Sequence, residues 1–289
     1  MSTASDQYYV PEGSHWPIIA AGGVFVLFIG FAFWMNGVGA GKIFSVVGTL
    51  ITVYLFYGWF KSVIHESLSG KYNTQVDSSF RQGMMWFITS EVAFFAVLFG
   101  ALAYFRIITL PYLGGEGFLA NSHLLWPEFD ATWPILTPPN PEAYPPTEAM
   151  GPMGIPLLNT ILLLTSGATI TWAHHGLKHN NQKVLVVGLI LTIALGATFM
   201  GFQAYEYYHA YHALNLTLNS GVYGSTFYIL TGFHGLHVTI GTIMLIFIAI
   251  RSAQGHFTPE KHFAFEGVAW YWHFVDVVWI GLYIFVYWL

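Results

Sequence analysis

The chain of 289 residues contains no cysteine. That removes a disulfide framework, a thiolate metal site and a cysteine nucleophile together. Charge is nearly as scarce. Asp, Glu, Lys and Arg make up 8% of the residues, where a soluble domain carries about a quarter. So few charges do not coat a water-facing globule, and the same scarcity excludes a disordered chain, a coiled coil and a nucleic-acid binder. The net charge of -5 is thinly spread and offers no site for a polyanion. What the chain has instead is apolar bulk: 55% hydrophobic and 18% aromatic residues with a mean hydropathy of +0.56. These figures describe a polytopic integral membrane protein, and the length of its apolar runs makes the expected fold all-α.

The few charges divide the chain into apolar runs. No charged residue lies between Glu12 and Lys42, and Trp16–Met35 is long enough to span. Further runs are 44–60, 82–105, 156–173, 184–205, 225–250 and 267–288. Each is close to the roughly 20 residues that a helix needs to cross about 30 Å of hydrocarbon. A polar stretch holding Lys61, His65, Glu66, Lys71, Asp77 and Arg81 separates the second run from the third. No internal repeat is visible, and seven single spans do not divide into two equal inverted halves.

Direction follows from the basic residues. Lys61, Lys71, Arg81, Lys178, Lys183, Arg251 and Lys261 fall on the side of the N-terminus, and only Lys42 and Arg106 fall opposite. This predicts a cytoplasmic N-terminus and an outward C-terminus. The first fifteen residues carry Asp6 and Glu12 but no basic residue, so the first span is expected to stay in place. Residues 106–155 hold most of the 13 prolines and the acids Glu116, Glu128, Asp130, Glu142 and Glu148. Runs such as Thr137-Pro138-Pro139-Asn140-Pro141 favour extended backbone. This segment reads either as a cap over the outer helix ends or as a docking surface, with Trp126, Phe129, Trp133 and Tyr144 suiting both.

Polar groups at mid-span carry a cost of roughly 2.5–3.5 kcal/mol for an acid, so each needs a reason. Glu91 lies among Phe87, Phe94 and Phe95, and reads as an isolated carboxyl that is either a structural hydrogen-bond partner or a functional group. His273 and Asp276 are three residues apart and share a helix face, as do His234 and His237. For these four the simplest reading is an interhelical hydrogen bond that fixes packing. Glu206-x-x-His209-x-x-His212 has the spacing of a carboxylate di-iron motif, but that site needs two copies on four helices. No second mid-membrane pair accompanies His234 and His237 for haem ligation apart from His273. The last span lacks the lysine of a retinal protein. No metal, haem or catalytic residue is therefore assigned to this chain.

The histidines form a clearer pattern. His15, His65, His174, His175, His179, His256 and His262 all fall on the expected cytoplasmic side. Histidine changes charge near neutral pH, so His15, His174, His175, His256 and His262 read as a proton-collecting surface or as ordinary interfacial residues. Trp59, Lys61, Arg251 and Lys261 on that side suit anchoring in a headgroup layer and gripping anionic lipid.

Several motifs occur together in a fixed order. They are Arg81-Gln82-Gly83-Met84, Phe87-Ile88-Thr89-Ser90-Glu91-Val92-Ala93-Phe94-Phe95, Thr171-Trp172-Ala173-His174-His175 and Gln203-Ala204-Tyr205-Glu206-Tyr207-Tyr208. Next come Gly221-Val222-Tyr223-Gly224-Ser225-Thr226-Phe227, Thr231-Gly232-Phe233-His234-Gly235-Leu236-His237-Val238 and Phe265-Glu266. The last is Trp270-Tyr271-Trp272-His273-Phe274-Val275-Asp276-Val277-Val278-Trp279. Over nearly the whole chain these residues resemble the cytochrome c oxidase subunit III family of the haem-copper oxidases.

The resemblance implies seven helices in two bundles, helices one and two (residues 1–81) and helices three to seven (82–289), around a V-shaped cleft filled by phospholipid. It implies that haem and copper sit in partner subunits I and II, and that the complex reduces oxygen with electrons from cytochrome c while pumping protons. Subunit III would then stabilise the catalytic subunit, hold lipid and support proton uptake. By the same resemblance Glu91 matches a buried carboxyl of the family, and Trp59, Glu66 and Arg251 match positions near the cleft lipid. His65 stands where mitochondrial relatives carry Arg, and Tyr72 where they carry His. The long Pro-rich loop implies a bacterial inner-membrane enzyme. A stand-alone transporter or channel using Glu91 and Asp276 is the alternative.

Overall fold

The computed structural model describes residues 9–10, 13–117, 122–125, 127, 129–136 and 146–289. Asp6, Glu12, Trp126, Glu128, the 137–141 run, Glu142 and Tyr144 lie outside the described residues. Among those described, regular structure is helical, and seven helices are long and apolar enough to cross a membrane. They are α1 (Trp16–Met35), α2 (Ala40–Leu68), α3 (Thr74–Tyr104), α4 (Ile155–Lys178), α5 (Gln182–His212), α6 (Gly221–Ala253) and α7 (Phe263–Leu282). α3 continues through a π-helical turn (Phe105–Thr109) into Leu110–Leu113, and α7 ends in a π-helical turn (Tyr283–Trp288). This is a multi-pass membrane protein.

The helices outrun the apolar stretches that announce them. α2 continues past Phe60 to Leu68 and α3 begins at Thr74. Lys61, His65 and Glu66 therefore ride on α2, and Asp77 and Arg81 on α3, rather than in the polar loop that their charge suggests. Hydropathy marks where lipid stops, whereas the backbone ladder continues wherever propensity and local pairs sustain it. Arg81 Nε donates to Asp77 Oδ2 at 2.7 Å, one turn back, and Ser69 Oγ closes the end of α2 on the His65 carbonyl at 2.7 Å.

The chain divides into two compact units, residues 1–82 and 83–289. In the first, α1 and α2 form an antiparallel pair whose seam is made of small residues. The buried positions of α1 are Gly23 and Gly30, and those of α2 are Gly41, Ser45, Gly48, Leu55 and Gly58. A Cβ at Gly30 would collide with the backbone of Phe44 and Ser45, one at Gly41 with the backbone of Phe33 and Trp34, and one at Gly48 with Leu27. Lipid tails are as apolar as leucine, so helices in a bilayer associate through close backbone packing rather than hydrophobic exclusion. Seven-residue spacing on both helices places these glycines on one stripe.

In the second unit α7 is the central element, with Trp272, Val275, Trp279 and Leu282 all fully enclosed. The bundle is tied by indole-to-hydroxyl bonds: Trp272 Nε1 donates to Ser166 Oγ at 2.8 Å and Trp279 Nε1 to Thr160 Oγ1 at 3.0 Å. Gly196 and Gly241 make room for the Trp272 ring. α4 and α5 are joined by Thr169 and Thr192 at 2.8 Å, and α5 and α6 by Tyr207 and Thr231 at 2.7 Å. The described part of the 106–155 segment caps the ends of α5 and α6. The Glu148 N–H donates to the Leu214 carbonyl at 3.0 Å, the Met150 N–H to Tyr223 Oη at 3.2 Å, and Trp133 meets the Tyr223 ring edge-on at 5.9 Å.

Candidate functional site

The densest polar arrangement lies where the end of α4 meets the start of α7. His174 sits in the last turn region of α4, His262 immediately precedes α7, and Glu266 is in its first turn. His174 Nε2 and His262 Nε2 are 3.3 Å apart. Both face the same oxygen, Glu266 Oε1, at 3.4 and 3.3 Å. The spacing of His262 and Glu266 is one helical turn, which puts them on one face. An acid in the first turn also complements the positive end of the helix. On the other side His262 Nδ1 donates to the Thr258 carbonyl at 3.0 Å, and the Phe265 ring packs against His174 at 5.3 Å.

The rest of the expected histidine surface is dispersed. His175 points away from this cluster and packs on His179, ring to ring at 4.1 Å. His256 lies in the turn after α6, half-buried, with its N–H on the Arg251 carbonyl at 3.1 Å. His15 belongs to the first unit, where its exposed ring lies 4.3 Å from that of Trp16.

The mid-span carboxyls are both partnered. Glu91 is not the isolated group that its aromatic neighbours suggest, because His237 Nε2 meets Glu91 Oε2 at 2.8 Å across α3 and α6. Phe94, Phe95 and Tyr271 surround that pair. The 146-residue separation hid it. Asp276 Oδ2 lies 3.5 Å from His273 Nδ1 within α7, and His273 Nε2 reaches Thr171 Oγ1 on α4 at 3.2 Å. Gly167 of α4 is the bare backbone on which the Asp276 carboxyl rests. His234 departs from expectation: neither ring nitrogen has a hydrogen-bond partner among the described residues. The ring instead packs against Phe199 at 5.9 Å and Trp279 at 5.2 Å. His234 and His237 share a spacing but face different surroundings.

Two acids emerge that sequence reasoning did not single out as sites. Glu266 stood in the sequence only as part of the Phe265-Glu266 motif, and its spacing of one turn from His262 was the signal that could have paired them. Glu206 turns into the bundle, where Tyr287 Oη donates to it at 2.5 Å. His209 and His212 stay exposed, so the Glu-x-x-His spacing does not converge on one point.

The positions matched to lipid fall in both units. On α2, Trp59 is half-exposed, and His65 and Glu66 occupy the last turn. Tyr72 Oη donates to Glu66 Oε2 at 2.8 Å. Partial burial and the Glu66 carboxylate both push the Tyr72 phenol above its ordinary range. Tyr72 thereby supplies the hydrogen bond that keeps Glu66 oriented. On α6, the Arg251 guanidinium lies 4.6 Å over the Phe257 ring.

Seven membrane-length helices with histidine–carboxyl pairs buried between them define a polytopic helical membrane protein. The sequence matches the family described as cytochrome c oxidase subunit III over residues 6–289. It is 39% identical to cytochrome c oxidase subunit 3 of Equus caballus over 291 residues, which covers 100% of this chain and 99% of that protein. The Homo sapiens protein of the same name is 39% identical over 289 residues, covering 100% and 99%. That of Papio hamadryas is 40% identical over 282 residues, covering 97% and 96%. The chain belongs to the cytochrome c oxidase subunit III family.

Proposed function

We propose that this chain is the non-catalytic subunit III of a proton-pumping cytochrome c oxidase. It works in complex with subunits I and II, which hold haem and copper and reduce oxygen to water with electrons from cytochrome c. The observation that carries this reading is the end-to-end correspondence with proteins of that name at 39–40% identity. The broad apolar flanks of α1 and α2 support a role in bracing the catalytic subunit and holding phospholipid. Phe25, Phe28, Val46 and Tyr57 all stand well exposed there. Trp59, His65 and Glu66 on α2 and Arg251 on α6 are the lipid-binding residues: an aromatic for the interface, and polar groups for the headgroup. The distribution of basic residues supports a cytoplasmic N-terminus and a periplasmic C-terminus, and the long Pro-rich loop supports a bacterial inner membrane. His15, His174, His175, His256 and His262 are the groups offered to proton uptake from that side.

Purification of the chain with its bound partners tests the reading. The expected result is co-isolation with haem- and copper-bearing chains that oxidise cytochrome c. Transport by the chain alone in liposomes would replace this reading with that of a transporter built on Glu91 and Asp276.

A further inference from the structure

We propose that α4–α7 enclose a binding site for ordered water, held by Asn159, Gln203, Glu206 and His234 around the Trp279 and Tyr287 rings. Each of the four residues is at most 4% exposed. Asn159 stands near the start of α4, Gln203 and Glu206 on the buried face of the last turns of α5, and His234 in the first half of α6. All four therefore lie in the half of the bundle that holds the α5–α6 connection. Two rings of α7 link them. Trp279 Nε1 donates to Thr160, the neighbour of Asn159. The Trp279 ring lies 5.2 Å from His234, 4.8 Å from Phe199 and 6.0 Å from Tyr287. Gln203 follows Phe199 by one helical turn on the same buried face, and Tyr287 Oη donates to Glu206 Oε1.

These residues share an unmet demand for hydrogen bonds. Both amide atoms of Asn159, both of Gln203, both ring nitrogens of His234 and Glu206 Oε2 have no partner among the described residues. Inside a membrane no bulk solvent meets that demand, and a buried polar group left unpaired costs free energy. Buried polar groups in folded proteins are satisfied by other protein groups or by ordered water. The chemistry of the four residues selects the ligand. Asn159 and Gln203 each offer an NH2 donor and a carbonyl acceptor, whatever the pH. A metal ion would meet only the acceptors and an anion only the donors. Water meets both, and a buried water makes about three hydrogen bonds. The seven unmet atoms thus call for about two or three waters. Trp272, two turns away on α7, shows the opposite arrangement. Its indole donates to Ser166 Oγ, which itself donates to the Leu163 carbonyl, so nothing there calls for water.

The test places the assembled complex in oxygen-18 water, splits that water into hydroxyl radicals with an X-ray pulse and reads labelled side chains by mass spectrometry. Trp272 and Trp279 are equally enclosed, so bulk solvent reaches neither. Trp279 is expected to take up label at least about five-fold faster than Trp272, because a radical formed in a bound water attacks the ring beside it. His234→Phe removes two of the unmet atoms next to that ring and should lower the ratio at least about two-fold. Unfolding would instead raise the labelling of both tryptophans, and the comparison within the unmodified complex stands whether or not the variant assembles. A high-resolution density map of the unmodified complex should place water about 2.7–3.2 Å from polar atoms of at least two of the four residues. Labelling of Trp279 no faster than that of Trp272 overturns the proposal. So does a ratio that a folded His234→Phe complex leaves unchanged, or a map in which the four side chains bond directly to one another with no water between them.

Discussion

The two units solve the same problem in opposite ways. In residues 1–82 the helices touch through backbone, and among the described residues the only large hydrophobic side chains enclosed are Leu55 and Val76. In residues 83–289 tryptophan, phenylalanine and tyrosine rings join the aliphatic side chains of a filled core, and Gly196 and Gly241 seat the Trp272 ring. A pair of helices has one seam, and in lipid a seam gains most from the closest approach. A bundle has an interior volume that must be filled, and aromatic rings fill it while indole and phenol groups find partners in the next helix. The first design is sensitive to any added atom, the second to any removed one.

That contrast can be broken from either side. The largest effect is expected from Trp272→Ala, which empties the centre of the bundle and strands Ser166. The loss should be about 3–5 kcal/mol, read as a lower midpoint in an SDS titration of the detergent-solubilised protein. A midpoint shift below a third of that would show the bundle to be as tolerant as the hairpin. Next is Gly30→Leu, whose side chain meets the α2 backbone. Overpacking of about 1–3 kcal/mol should part α1 from α2. Because the chain lacks cysteine, a single engineered pair across the seam reports this as lost cross-linking yield. Retained yield would show that the glycine stripe does not hold the hairpin.

A smaller effect belongs to the Glu91–His237 pair. A double-mutant cycle of Glu91→Gln and His237→Phe should return a coupling of about 0.6–1.7 kcal/mol, the range for hydrogen bonds between membrane helices. Additive single effects would mean that the 2.8 Å contact contributes nothing beyond packing. The smallest change is Tyr72→Phe. The Tyr72 phenol is held above its ordinary range, so it should remain neutral where a free tyrosine ionises at about pH 10. The difference titration between wild-type and variant proteins should lack a phenolate signal at that pH. A folded-state value above the unfolded one also means that stability falls as pH rises past the unfolded value. Tyr72→Phe should remove that part of the alkaline slope.

Much of the architecture was legible early because the bilayer imposes a length on any helix that crosses it. Trp16–Met35 was read to the residue, since glycine and lipid-facing apolar residues end where the polar turn begins. The end of α2 was misjudged by eight residues because Lys61, His65 and Glu66 are compatible with both helix and loop. His273 and Asp276 were legible as a pair from spacing, because residues three apart share a helix face and can meet. Glu91 and His237 were not, because nothing in a linear chain states which distant helix a side chain faces. The same holds for His234, whose identical spacing hides a different neighbourhood.

By itself the sequence determined that this is a membrane protein of seven helices, and its ordered motifs pointed to the family. Both follow from local physics: hydropathy, helical period and the identity of neighbouring residues. Only the tertiary structure decided which polar groups meet. His174 comes to His262 and Glu266, Glu91 to His237, and Glu206 to Tyr287, because helix packing sets the azimuth of each helix about its axis. That angle depends on how glycines and aromatic rings interlock across many helices at once, and no short stretch of sequence contains it.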